Sequence, residues 1–381
     1  MRQRTLQLLL CTLGVVAVRP ANAQAGFAMN RFDPSEAGSD WFVNDSLDLR
    51  GSPKVAAGVI WDWSYKPLVL RVADDAASPR NAVTDQVVAH AAVAFMLHDR
   101  FRAGLDLPLV VFQHGEDLSP LTPSLGPLDS SAAGDLRLSA DVRLAGQYGE
   151  AFSLALGAQA HVPTGRRSQL SSDGTVRFVP RLLVAGDGKG LVYAAKLAFA
   201  YRPLDAAFVG RQLTSEAVFS LAGGVRVNDI FVFGPELCGA TAVGRGVDAF
   251  DRRSTALELL LGFHVTLGQS WLLGSGLGPG LTRADGTPSM RLLLSLAFAP
   301  DVCVDPDGDG ICAPADACPD VNGVRTGRRS TNGCPSDRDR DGVFDGDDAC
   351  VERPGLASAD PTKNGCPAGT EETPPTPVAP K

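Results

Sequence analysis

From Asp135 to Leu144 apolar and polar residues strictly alternate: Leu136, Leu138, Ala140, Val142 and Leu144 fall on one face, Asp135, Arg137, Ser139, Asp141 and Arg143 on the other. Successive side chains of a strand point to opposite sides, whereas a helix would scatter both sets around its circumference, so the pattern predicts a β-strand. The pattern recurs along the chain. Val55, Ala57, Val59, Trp61, Trp63 and Tyr65 share a face, as do Phe101 to Val111, Leu191 to Tyr201 and Leu257 to Leu267 at alternate positions. Clusters rich in Gly, Asp and Pro punctuate these runs, at Ala185–Gly190, Arg202–Asp205 and Arg283–Gly286. Neighbouring strands with such turns imply antiparallel hairpins.

Segment 47–300 therefore reads as about 12–14 antiparallel strands. Alternation alone fits a soluble sandwich as well as a transmembrane β-barrel. Three features favour the barrel. The runs are about 10–12 residues long, enough to cross an outer membrane at a tilt. Aromatics (Trp61, Trp63, Tyr65, Tyr193, Tyr201) sit at what read as strand ends, where a membrane interface would lie. The polar face carries both charge signs, as suits a lumen that pairs its own charges. The last run, Arg291–Phe298, ends on an aromatic and resembles the terminal-strand signal of outer-membrane barrels.

The chain begins with Arg2 and Arg4, an apolar stretch from Leu6 to Val18, and Ala21-Asn22-Ala23. This is the order of a cleaved secretory signal, residues 1–23, and it implies an oxidising destination. Residues 24–46 are polar with scattered aromatics. An ordered plug, a partner-binding segment and a plain periplasmic lead-in all fit, and the lead-in is the simplest expectation.

Composition changes abruptly after Pro300. Asp301–Cys366 holds 14 acidic and 7 basic residues, against 27 and 24 in the far longer Gln24–Pro300, so the chain's net charge of -8 lies mostly in the tail. No basic stripe with interleaved aromatics occurs, which argues against nucleic acid as a partner. The tail repeats itself. Asp305, Asp307, Asp309, Gly310 and Ile311 recur 32 residues later as Asp337, Asp339, Asp341, Gly342 and Val343; Asp316 and Cys318 recur as Asp348 and Cys350; both copies end in Asn-Gly-Cys-Pro. Ca²⁺ takes six to eight oxygens, and carboxylates at alternate positions followed by a turn glycine can wrap one ion. Asp345 and Asp348 extend the second set, while Ala313 stands where Asp345 would have its counterpart. An EF-hand does not fit, because flanking helices and a loop-end Glu are lacking. Cys303, Cys312, Cys318, Cys334, Cys350 and Cys366 read as a disulfide framework. Fifteen pairings are formally open, of which nearest-neighbour pairing is the simplest.

These residues resemble thrombospondin type 3 repeats as found in OmpA-like proteins of Gram-negative bacteria, over about residues 301–367. The resemblance implies calcium binding through Asp305, Asp307, Asp309, Asp337, Asp339, Asp341, Asp345 and Asp348, with Asp316 as the first-copy match of Asp348. In that family a peptidoglycan-binding domain often follows. Residues 368–381 instead read as a disordered, Pro-rich stretch, leaving peptidoglycan and other envelope proteins as candidate partners beside outer-membrane lipid.

No catalytic motif emerges. The five histidines are scattered, and no G-x-S-x-G elbow occurs. Gly274, Gly276, Gly278 and Gly280 read as a side-chain-free strand face where a lumen is crowded or a barrel bends, and Cys238 as an inert buried thiol. The expectation is a non-enzymatic, porin-like or structural outer-membrane protein with a calcium-binding periplasmic tail. The alternative is a secreted soluble β-domain acting in calcium-dependent adhesion.

Overall fold

The computed structural model describes residues 26–368 except 52, 71–79, 118, 120–126, 189, 205, 209–210, 229, 245–246, 269, 301–305, 313–315 and 327–330. The chain divides into two compact units, Met1–Asp301 and Val302–Lys381.

The first unit is an all-β, antiparallel closed barrel of twelve strands, the lower bound of the expected range. The strands are Lys54–Leu70 (β1), Arg80–Leu97 (β2), Phe101–His114 (β3), Leu136–Ala145 (β4), Ser153–Val162 (β5), Arg177–Gly188 (β6), Leu191–Ala200 (β7), Glu216–Val227 (β8), Phe231–Ala242 (β9), Thr255–Leu267 (β10), Trp271–Pro279 (β11) and Met290–Phe298 (β12). Each pairs with its sequence neighbours, and β1 also pairs with β12, so the sheet has no free edge. The pair Ala132–Ala133 adds to the side of β3, and Ala206–Phe208 pairs with Arg211–Leu213 as a separate hairpin.

The two rims differ. Links such as Leu97–Phe101, Gly188–Leu191, Val227–Phe231 and Leu267–Trp271 are tight, whereas those from His114 to Leu136, Val162 to Arg177 and Ala200 to Glu216 are long. Ala185–Gly188, which reads as turn in sequence, continues β6, because its backbone pairs with Leu191–Ala194 before the chain reverses. Strands β1 and β2 reach 17 and 18 residues. Trp61 therefore lies mid-strand opposite Leu294, and Tyr65 rather than Trp61 reaches the end of β12 at Met290. At the tight-turn rim Trp271 meets Phe298 edge-on at 5.3 Å and Phe231 stacks on Phe263 at 5.7 Å.

Alternation reads out as inside and outside. Leu138 is 42% exposed on the outer face, while its neighbour Ser139 is 8% exposed on the inner one. Leu197, Leu221, Leu261, Leu294 and Phe298 likewise point outward, and Arg137, Arg181 and Arg291 are among the most deeply buried side chains. An apolar exterior around a charged interior is the arrangement of a barrel in lipid, and it disfavours a soluble domain, whose polar face would meet water. No described helix is long and apolar enough to cross a membrane; crossing falls to the strands.

In the second unit Cys318 bonds Cys334 and Cys350 bonds Cys366. Cys312 is also disulfide-bonded, while Cys303 lies outside the described residues. The two copies fold alike. Backbone N–H groups of Ile311 and Gly323 donate to the Asp309 carboxylate, and those of Val343 and Gly355 donate to Asp341. Cys318 N–H donates to Asp316 and Cys350 N–H to Asp348. Ile311 and Val343 are the buried apolar anchors. With so little core, cross-links and local turns hold the backbone.

Candidate functional site: a plugged lumen

The interior of the barrel is not empty. Residues 26–51 lie inside it from rim to rim, in place of the periplasmic lead-in expected over 24–46 and the start of the barrel wall expected from 47. At the long-loop end Phe27 packs on Phe208 at 5.0 Å, and Met29 N–H donates to Leu170 O at 3.0 Å. At the tight-turn end Leu47 and Leu49 pack with Val192, Ala194 and Val232. Phe27, Met29, Phe42, Leu47 and Leu49 are fully buried. The correction has a physical cause: the segment's polar residues are not solvated but matched to inward-facing charges on strands far away in sequence.

Acidic side chains of this plug meet cations of one half of the wall. Asp33 accepts from Arg137 of β4 at 2.5 Å and Lys196 of β7 at 2.9 Å. Glu36 takes Arg181 of β6 at 2.9 Å, with Arg137 at 3.7 Å. Asp45 pairs with Arg102 of β3 at 2.9 Å, and Asp40 with Arg226 of β8 at 2.9 Å. Two wall carboxylates share these cations: Asp141 bridges Arg102 and Arg181, and Asp106 approaches Arg137 at 4.0 Å.

The opposite half of the wall is acidic and meets N–H donors. Glu236 of β9 accepts from the backbone N–H groups of Phe42 (2.6 Å), Val43 (3.0 Å) and Asn44 (3.1 Å), and from the Asn44 side-chain amide (3.0 Å). Asp62 of β1 accepts from Asn30 at 2.9 Å. Asp62 also joins Glu258 of β10 in holding Arg291 of β12, over whose guanidinium lies the Phe32 ring, 5.1 Å away. A buried carboxylate is tolerated when several donors surround it, and every one of these is surrounded.

Close packing explains part of the glycine-rich β11. A Cβ on Gly276 would come within 2.7 Å of the Phe42 ring, and one on Gly104 of β3 would strike the Glu36 carboxylate. The alternating glycines thus mark crowded positions, as the sequence suggests: the plug crowds Gly276, and neighbouring barrel residues such as Ser295, Leu259 and Pro288 crowd Gly274, Gly278 and Gly280. A cavity of about 150 Å³ survives beside it, bordered by Asp33, Asp106, Arg137, His161, Lys196 and Cys238. Within it His90 Nε2 and Asp106 Oδ1 are buried without a hydrogen-bond partner, although His90 Nδ1 lies 3.3 Å from Asp106. The space is polar and large enough for water. Cys238 is the one free cysteine among the described residues and lies on this inner face.

In the tail, carboxylates of Asp307, Asp309 and Asp316 converge within 4.8 Å, as do those of Asp337, Asp339 and Asp341. Asp305 lies outside the described residues. Asp345 is not in the second group; its oxygens accept from Ser336 Oγ and Arg338 N–H, closing the start of that loop. One oxygen each of Asp316, Asp339 and Asp348 is buried and lacks a donor. Reduced hydration and the carboxylates of Asp341, Asp348 and Asp337 push the Asp339 carboxyl above its usual range. Crowded, donor-poor carboxylate oxygens are the ligand type a hard cation takes, so the residues present fit Ca²⁺.

Sequence reasoning picked out the tail aspartates but not the plug contacts. The usable signal was four acids (Asp33, Glu36, Asp40, Asp45) in one short segment, set against inward arginines on separate strands.

No family model matches the chain, and no curated protein matches it. Among solved structures it resembles an outer membrane channel from Pseudomonas putida F1 (15% identity, TM-score 0.48, 65% of this chain and 96% of that one). It also resembles the NanC porin (8%, TM-score 0.41, 65% and 100%) and the KdgM porin (8%, TM-score 0.39, 64% and 98%).

Proposed function

We propose that this protein is an outer-membrane channel held shut by its own N-terminal segment, with a calcium-binding tail on the periplasmic side. The observation that carries the reading is the manner of closure. The plug is a single segment that turns back on itself between Ser35 and Phe42, seated through ion pairs, hydrogen bonds and buried side chains such as Phe42, Leu47 and Leu49 rather than as a folded domain with its own core. These contacts are mostly buried, so the segment leaves only when water or a competing solute supplies replacement partners for both sides. A barrel serving only as a structural post would have no need of a polar, separable filling.

Orientation follows from the rims. Outer-membrane barrels keep tight turns on the periplasmic side and long loops outside. β12 ends at Phe298 on the tight-turn rim, which supports a tail that starts on the periplasmic side. There Asp307, Asp309 and Asp316, and Asp337, Asp339, Asp341 and Asp348, would hold calcium, which supplies the positive charge that their crowded oxygens lack. Chemical catalysis has no place in this reading.

Reconstitution in planar bilayers tests it. The native chain should show a mostly closed state, and full-length protein with Asp33→Asn, Glu36→Gln and Asp45→Asn should show frequent, long openings. Equal conductance for the two, with both folded, would refute the gate.

A further inference from the structure

The plug contacts describe what the lumen can bind. On one half, Arg102, Arg137, Arg181, Lys196 and Arg226 face inward with the wall carboxylates Asp106, Asp141 and Glu216 among them; Lys196 pairs with plug residue Asp33 and Glu216 with plug residue Arg31. On the other half Asp62, Glu236 and Glu258 face inward with Arg291 and Lys54 among them, Lys54 meeting plug residue Asp48. Without the plug the first half has an excess of cations and the second an excess of carboxylates. An occupant must therefore offer carboxylates to one side and N–H donors to the other.

The plug does this as a peptide. Its side-chain carboxylates reach the cationic half, and three successive main-chain N–H groups, Phe42 to Asn44, converge on Glu236. Such a carboxylate, with N–H donors on both oxygens, reads backbone together with one side-chain amide, that of Asn44. A plain anion would satisfy the cationic half but meet Glu236 and Glu258 with nothing to donate. A neutral sugar would leave the charges of both halves without counter-charges. We propose that the open lumen binds short acidic peptides across its width, and that residues 30–45 occupy this site as an internal competitor. The proposal deepens the gated-channel reading and rests on it.

The test uses the opened full-length protein described above, or full-length Asp40→Asn with Asp45→Asn, which changes the plug and leaves the wall intact, if the triple variant fails to insert. A synthetic peptide with the sequence of residues 33–45 is added to the bilayer chamber, in parallel with the same peptide carrying amides in place of Asp33, Glu36 and Asp45, and with glutarate as a plain dianion. Each lost charge-assisted bond weakens binding, so the native peptide should block current at a concentration at least about tenfold below that of its amide form. It should also act well below glutarate. Equal block by the two peptides, or glutarate as effective as the native peptide, would overturn the peptide assignment while leaving the channel intact. Folded, inserted protein that passes no current in either variant would overturn the channel reading and this inference with it.

Discussion

The lumen and the tail are both charged, yet their charges are handled in opposite ways. In the lumen the acids have found cationic or N–H partners across the barrel. Although Asp45 and Asp106 each keep one buried oxygen without a donor, both are held through the other oxygen, so the charge network is nearly closed and the order is internal to the fold. In the tail, acids crowd against other acids, and Asp316, Asp339 and Asp348 keep buried oxygens without donors. Its backbone is fixed by disulfides and local turns instead. The difference teaches where each region is open to control. A closed network responds to a competitor that can replace its partners; an open one responds to a cation that completes it.

The largest effect should come from the node with most partners. Glu236→Ala strands three buried backbone N–H groups of the plug, and removing one side of a buried charged cluster costs about 3–5 kcal/mol. Limited proteolysis should then cut within residues 26–51 while the barrel keeps its heat-modifiable migration. Unchanged protection of that segment would mean Glu236 does not seat it. In the tail, Cys318→Ser with Cys334→Ser opens a loop of 16 residues. That should destabilise the unit by about 3 kcal/mol on chain-entropy grounds, read as faster cleavage after Val302. Calcium at a hundredfold excess over Kd should add about 2.7 kcal/mol to the same unit, an effect a chelator removes and the barrel ignores. Loss of protection in both units on chelation would contradict their independence.

On the barrel's outside, Leu138→Arg should cost about 2–4 kcal/mol if that position lies near the bilayer midplane, measured by reversible unfolding in lipid vesicles. A smaller cost would place it nearer an interface. The mildest expected effect concerns acid. Asp339 is held above the usual carboxylate range, and Ca²⁺ binds the charged form. As pH falls from about 7 toward about 4, protonation therefore removes this ligand before an ordinary aspartate would titrate. Calcium uptake by the full chain, followed by titration calorimetry, should weaken across that window; a flat affinity would exclude Asp339 as a ligand.

What could be read directly was whatever repeats at short range. Alternation around Leu138 and Ser139 gave the strand and both its faces, because a period of two is local. The 32-residue repeat gave the pairs Cys318–Cys334 and Cys350–Cys366, because each staple lies within one copy. The plug was illegible for the converse reason. Asp33 meets Arg137 and Lys196, partners 104 and 163 positions away, and nothing local distinguishes a segment that neutralises a lumen from one that faces water. Trp61 misled in a similar way: a run of mixed polarity concealed that β1 continues to Leu70. Asp345 stands apart from the second carboxylate group, its oxygens accepting from Ser336 and Arg338.

The central claim is that residues 26–51 occupy the lumen and can leave it, and Cys238 provides a native reporter. It is the one free thiol among the described residues and lies on the inner wall beside the plug. Full-length protein in liposomes, treated with a membrane-impermeant maleimide, should label slowly at Cys238. The Asp33→Asn, Glu36→Gln, Asp45→Asn variant should label at least about tenfold faster, since loss of about 1.4 kcal/mol of seating energy already shifts the open population by that factor. Equal labelling rates in the two proteins, whether both fast or both slow, would contradict a displaceable plug.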